Sequence, residues 1–288
     1  MKLGIGSKVY YNVRDYAEGF KKLKRHGYDC VDYNDLADMS SELYGLSDGE
    51  LREFLESVAS SARECGVEIW QMHALWPTVN LDKTESDRKR TVEYFIRQLE
   101  AANYLGCRYF VFHPFMPFGH NEEGNYSFTF DVNLALIKTL IPYAMRWGVT
   151  LCIENMPFKN NPISKVSEIK RLVRTVDHPM VKVCLDVGHA NIVSSDVAAD
   201  VRLLGDDLAT LHIHDNPGWC DAHALPYCGT VKWDEFLAAL GEIGFDGCFN
   251  LETAIPAAMP EPYREEMRSS LARLAREMAD SIVPETKL

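Results

Sequence analysis

Apolar run after apolar run in this chain ends in a side chain that can hold a cation. Phe110-Val111-Phe112 leads to His113, Leu151-Cys152-Ile153 to Glu154, Val183-Cys184-Leu185 to Asp186 and Phe249-Asn250-Leu251 to Glu252. The densest stretch is His212-Ile213-His214-Asp215-Asn216, which ends a further apolar run and is followed by Asp221-Ala222-His223. Carboxylates and imidazolium groups are costly to bury unless they are paired or bound to a metal. A chain that ends its strands this way needs a fold that gathers the strand ends in one place.

The order of elements supplies such a fold. Amphipathic helix, glycine, short apolar strand: the sequence repeats this unit from end to end. Gly27, Gly66, Gly106 and Gly148 each follow a helical stretch and precede a strand, the position where a left-handed cap favours glycine. With a first strand at Leu3 to Gly6, about eight βα units result, the number that closes a barrel. Near-continuous apolar strands suit a parallel sheet covered by helices on its outer face. We therefore expect a single (β/α)8 TIM barrel, one domain over residues 1–288, with its site at the carboxyl-terminal ends of the strands. The stretch from Pro260 onward predicts a final helix.

Composition narrows the partners. A formal charge of -12 argues against nucleic acid, whose non-specific affinity comes mainly from Lys and Arg neutralising phosphates. Lys21, Lys22, Lys24 and Arg25 read as the solvated face of the first helix. The eight cysteines form no C-x-x-C pair, and Cys152, Cys184 and Cys248 lie in apolar strands as small core residues. Thiols used this way indicate a reducing compartment, so a cytoplasmic location is expected. No run approaches the ~20 apolar residues of a membrane span. Homo-oligomerisation is left open.

Glu154, Asp186, His212 and Glu252 would offer one nitrogen and three carboxylates from different strands. That set suits Mn²⁺ or Zn²⁺, with Mg²⁺, Co²⁺ or Fe²⁺ as alternatives. His26, His120 and His178 fall on loops or helix ends and read as surface residues. Trp76, Phe115, Phe118 and Trp219 follow strand ends and are candidates to wall a pocket for a sugar face. No Lys or Arg is evident in the strand-end loops, so an unphosphorylated sugar or polyol is expected.

Glu154-Asn155, Asp186-Val187-Gly188-His189-Ala190-Asn191, His212-Ile213-His214-Asp215-Asn216 and Glu252, in that order, resemble the signature of the xylose-isomerase-like barrels. That superfamily includes sugar-phosphate isomerases and epimerases, inosose dehydratases and the endonuclease IV type of abasic-site nuclease. The resemblance implies that Glu154, Asp186, His212 and Glu252 bind one metal. Glu154 and Glu252 would also exchange a proton through an enediolate, with His189 contacting a substrate oxygen. In the nuclease branch a trinuclear zinc cluster uses positions matched here by His73, His113, Glu154, Asp186, His189, His212, Asp221, His223 and Glu252. His73 and His113 thus stand between ligand and hydrogen-bonded pocket histidine. His214 is expected beside the ligands rather than among them, as a residue that contacts the substrate. Tyr227 stands where many members of the superfamily carry glycine, and Asn121-Glu122-Glu123-Gly124 offers acid where a nuclease needs a basic loop. The expected function is isomerisation or epimerisation of a sugar-like hydroxycarbonyl compound, with a dehydratase or a zinc phosphodiesterase as alternatives.

Overall fold

The computed structural model describes residues 1–76, 82–119 and 124–283. Its frame is one eight-stranded sheet built from β1 (Lys2–Gly6), β2 (Cys30–Tyr33), β3 (Glu68–His73), β4 (Tyr109–Phe112), β5 (Thr150–Glu154), β6 (Val181–Asp186), β7 (Leu208–His212) and β8 (Cys248–Leu251). From β1 to β7 each strand pairs in parallel with the next, and β1 also pairs with β8. The remaining seam is closed at Ile213, whose N–H donates to Asn250 O while its carbonyl accepts from Glu252 N, both at 2.9 Å. The barrel closure is thus made by the residue between His212 and His214, which sets both imidazoles beside the end of β8.

The helices Tyr16–His26, Asp48–Glu64, Glu85–Leu105, Tyr126–Trp147, Val166–Val176, Val197–Leu204 and Trp233–Glu242 alternate with the strands, and Glu261–Asp280 follows the last one. Gly27, Gly106 and Gly148 cap their helices in the left-handed region. The apolar core lies between the outer faces of the strands and these helices, with Leu3, Ile5, Phe20, Phe110, Phe112, Ile153, Leu211 and Phe249 fully buried. An additional short helix, Val187–Val193, follows β6 directly. Its first turn is the Val187-Gly188-His189-Ala190 segment, and Asp186 caps it by accepting from His189 N at 2.6 Å. One charged strand-end residue therefore both ends a strand and starts a helix.

All eight cysteines are free thiols, and Cys30, Cys152, Cys184 and Cys248 are fully buried. Among the described residues no helix is long and apolar enough to cross a membrane. Expected surface residues divide. His178 lies at a helix end, half-buried. His26 is tucked in, with Nδ1 2.7 Å from Tyr10 Oη and Nε2 3.2 Å from Glu265. His120 and Asn121 to Glu123 lie outside the described residues.

Candidate metal centre

The carboxyl ends of β5, β6, β7 and β8 bring Glu154, Asp186, His212 and Glu252 together, with one ligand atom from each within 4.8 Å of the others. His212 Nδ1 lies 3.0 Å from Glu154 Oε1 and 3.2 Å from Glu252 Oε2. Glu154 is sealed from solvent, and its Oε2 has no hydrogen-bond partner even though His113 Nε2 approaches at 3.1 Å and His73 Nε2 at 3.4 Å. Three carboxylates and an imidazole converging around a buried, unsatisfied oxygen fit a hard-to-borderline divalent ion. The residues present suit the group.

His73 and His113 join this centre through Glu154. His73 Nδ1 lies 2.7 Å from its neighbour's carbonyl, Ala74 O, which leaves Nε2 facing the carboxylate. Burial pushes the His113 imidazole down to about 4 despite Glu154. It is neutral near pH 7, as a ligand must be. Burial also works against charge on His73, yet Glu154 outweighs it and raises that imidazole above its usual value.

A second constellation adjoins the first: His189, His214, Asp221 and His223 also offer atoms within 4.8 Å of one another. His189 Nε2 lies 3.2 Å and His223 Nε2 3.3 Å from Asp221 Oδ2. Burial disfavours charge on both imidazoles, but Asp186 and Asp221 outweigh it at His189, and Asp221 and Glu252 at His223, lifting both to about 10. His214 belongs to this constellation, with Nε2 3.1 Å from Asp186 Oδ1 and 3.6 Å from Asp221 Oδ1. Gly188 makes room for it, since a Cβ there would stand 1.9 Å from His214 Cε1.

Asp215 has a different task. Fully buried, it accepts from the N–H groups of Asn216, Gly229 and Val231 and from Trp233 Nε1, at 2.8 to 3.2 Å. It ties down the loop that carries Asp221 and His223. Within that loop His223 and Tyr227 take left-handed backbone conformations, φ 44° and 68°. Tyr227 thus adopts the conformation that glycine would favour.

A cavity of about 610 Å³ opens above the centre, lined in part by His73, His113, Glu154, His189, Asp221, His223 and Glu252. Trp76 lines it, its ring edge-on to His113 at 4.0 Å. Phe115 does not. Asn133 receives its N–H and donates to its carbonyl, drawing the segment after β4 onto the neighbouring helix and the ring into the core. Phe118 packs against Phe128, and Trp219 is 76% exposed. His214 is also absent from the cavity wall, because the imidazole of His223 stacks over it. Met156, Pro157, Phe158 and Ile255 supply apolar wall instead.

The structure corrects the expectation that no cation approaches the site: Lys8, after β1, and Arg264, on the final helix, both line this cavity. No motif marks either residue. Asp32, a fully buried carboxylate 3.0 Å from His212 Nε2, was missed as well. Its signal was present: a lone acidic residue inside the apolar strand Cys30-Val31-Asp32-Tyr33.

Barrel closure, the strand-end carboxylates and the capping Asp186 define a TIM barrel with a candidate metal centre at the carboxyl ends of its strands. The chain belongs to the xylose isomerase-like TIM barrel family, whose pattern it matches over residues 20–274. It is 24% identical over 242 residues to D-psicose 3-epimerase of Ruminiclostridium cellulolyticum, covering 83% of this chain and 78% of that one. It is also 24% identical over 284 residues to a probable endonuclease 4 of Metamycoplasma arthritidis, covering 93% and 99% respectively. The solved structure of the IOLI protein with a binding zinc atom superposes with a TM-score of 0.77 at 19% identity, over 98% of this chain and 99% of that one. At that identity the likeness concerns the fold.

Proposed function

We propose that this chain is a divalent-metal-dependent isomerase or epimerase acting on a sugar or sugar-like hydroxycarbonyl compound. The observation that carries this reading is the pair Glu154 and Glu252, 3.0 and 3.2 Å from the same nitrogen of His212 at the floor of the cavity. A divalent ion held by Glu154, Asp186, His212 and Glu252, with Mn²⁺ or Zn²⁺ the best match, would polarise the carbonyl and hydroxyl oxygens of such a substrate.

The two carboxylates differ in a way that suits proton transfer. Burial works against the charge of Glu154, but His212 and His113 outweigh it and hold the carboxyl well below its usual range. Burial wins at Glu252 and raises its carboxyl above the usual value. Glu252 is also open to the cavity, with 26% of its side chain exposed against 1% for Glu154. Glu252 is therefore the carboxylate placed to take a proton from the carbon beside the carbonyl. A proton returned on the other face of the enediolate, taken up by Glu154 from solvent in the cavity while Glu252 keeps the one it removed, would invert that carbon. Return to the neighbouring carbon would isomerise the sugar. His189 is placed to contact a substrate oxygen, and Trp76 to cover a sugar face.

The cavity volume falls within the range of about 300–1,000 Å³ usual for small-molecule sites. Lys8 and Arg264 on its wall suit a substrate with an anionic substituent. Solvent-deuterium incorporation next to the carbonyl, followed with Mn²⁺-loaded protein across ketoses, ketose phosphates and inososes, tests the proposal. Exchange with one of these is expected. No exchange with any, at full metal loading, would overturn it.

A second reading draws on the constellation His189, His214, Asp221 and His223. It suits a further ion and, with the endonuclease 4 relative, metal-assisted phosphodiester cleavage. The charge of -12 opposes that reading, since a DNA-gripping surface needs many cations. Metal content decides: near one equivalent supports the isomerase site, and about three would favour the nuclease.

A further inference from the structure

Directly beneath the candidate metal centre the barrel interior is polar, where such barrels are usually filled by branched apolar side chains. Asp32 is at its middle, fully buried. Its Oδ2 accepts from Gln71 Nε2 at 3.2 Å, has Asn250 Nδ2 at 3.5 Å and lies 3.0 Å from His212 Nε2. Its Oδ1 has no partner. Among the described residues no Lys or Arg forms an ion pair with Asp32; its one basic neighbour is His212.

The surroundings are built to hold this carboxylate. Between Val31 and Asp32 the register of β2 against β3 slips by one residue, so Asp32 comes level with Gln71 instead of Trp70. Thr210 Oγ1 donates to Gln71 Oε1, which fixes the amide so that its NH2 group turns to Asp32. Gly4 leaves the space that Asn250 fills, since a Cβ there would lie 2.6 Å from Asn250 Oδ1. Strands β2, β3, β7 and β8 thus each contribute a side chain to one polar layer.

A buried carboxylate costs several kcal/mol of desolvation, and one unpartnered oxygen leaves part of that uncompensated. Packing alone would be served better by an apolar residue. The arrangement makes sense through His212, whose opposite nitrogen faces Glu154 and Glu252. We infer that Asp32 is a positioning residue for the metal centre: it keeps the proton of His212 on Nε2, fixes the ring plane and so presents Nδ1 as the ligand atom. A carboxylate behind a ligating imidazole orients the ring and raises its basicity. The inference rests on the metal reading above and concerns affinity for the ion, whatever the substrate.

The test uses full-length protein, Mn²⁺ as the probe and competition with a chelator. Asp32→Ala should weaken Mn²⁺ binding about 10- to 100-fold, the usual effect of losing such a partner. Asp32→Asn, which keeps an acceptor of the same shape without the charge, should restore part of the affinity. The melting temperature of the metal-free Asp32→Asn protein should hold or rise, because a costly buried charge is gone. A merely structural Asp32 would give the reverse pattern: lower metal-free melting temperatures and unchanged affinity. Dissociation constants within about twofold of wild type for both variants would overturn the inference while leaving the metal reading intact. Wild-type protein that binds no Mn²⁺ would overturn both.

Discussion

The imidazole of His223 lies over that of His214, ring centroids 4.1 Å apart and planes 15° from parallel. His223 holds this position with a left-handed backbone, φ 44°, and with Nδ1 2.8 Å from the carbonyl of Glu252. A non-glycine residue kept there costs about 1–3 kcal/mol and tends to mark a functional site. The contact binds the loop after β7 to the end of β8 and separates His214 from the cavity. Under the one-ion reading, His223→Ala should leave the metal content unchanged by elemental analysis. Loss of an equivalent would instead assign an ion to the His189, His214, Asp221 and His223 constellation.

Glu252→Gln removes a charged ligand and the cavity-facing proton carrier in one step. Mn²⁺ affinity should fall, and solvent-deuterium exchange should drop by at least about 10²-fold, the low end for losing an acid–base group. Asp186→Asn should weaken the ion too, with added damage to the helix Val187–Val193, because the same carboxylate caps it. Isothermal titration with Mn²⁺ and exchange measured by NMR give the two readouts. Unchanged affinity in Glu252→Gln would remove it from the ligand set.

Lys8 and Arg264 should show themselves through substrate charge. A ketose phosphate should be used at lower KM than the parent ketose, with the advantage shrinking as ionic strength rises. Lys8→Ala should raise KM for the phosphate about tenfold, equivalent to about 1.4 kcal/mol, and leave the neutral ketose unaffected. Equal KM values for both sugars in wild type would show that these cations do not meet the substrate.

Asp35 links the loop after β2 to pH. Burial raises its carboxyl to about 6, against opposing effects of Lys8, Tyr33 and Ser7. A carboxyl whose folded pKa lies above its unfolded value of 3.8 favours the folded state below that value, and the favour is lost as pH rises through about 6. Asp35→Asn should therefore be more stable than wild type above pH 6, by up to about 3 kcal/mol, and gain nothing near pH 3. Thermal melts at the two pH values compare them. A variant equally stable or weaker at pH 8 would contradict this.

Gly188→Ala tests the packing under the centre. The new methyl would coincide with the His214 ring, and overpacking of this kind costs about 1–3 kcal/mol. A lower melting temperature, with changed His214 side-chain resonances, is expected. A melting temperature equal to wild type would show that the ring has room to move.

The sequence by itself determined the barrel and the convergence of its strand-end carboxylates and imidazole. Helix-glycine-strand repetition is a local signal, and a barrel turns strand order into spatial order, so Glu154, Asp186, His212 and Glu252 could be placed together before any coordinates. The cap at Asp186 and the apolar flanks of these residues are local as well. Tertiary structure decided what depends on distance across the barrel. Asp32 finds His212 only because a register slip beside Trp70 levels it with Gln71. Lys8 and Arg264 share a cavity because the final helix lies back against the first strand. Phe115 leaves the cavity because Asn133, far along the next helix, holds its backbone. His214 could be placed on the inward side of its strand from the two-residue period, but its partners could not, since Asp221 and His223 reach it from a loop whose path Asp215 sets. Local periodicity fixes which way a strand or helix faces. Which side chains then meet is decided by closure, register and loop anchoring, none of which is written in neighbouring residues.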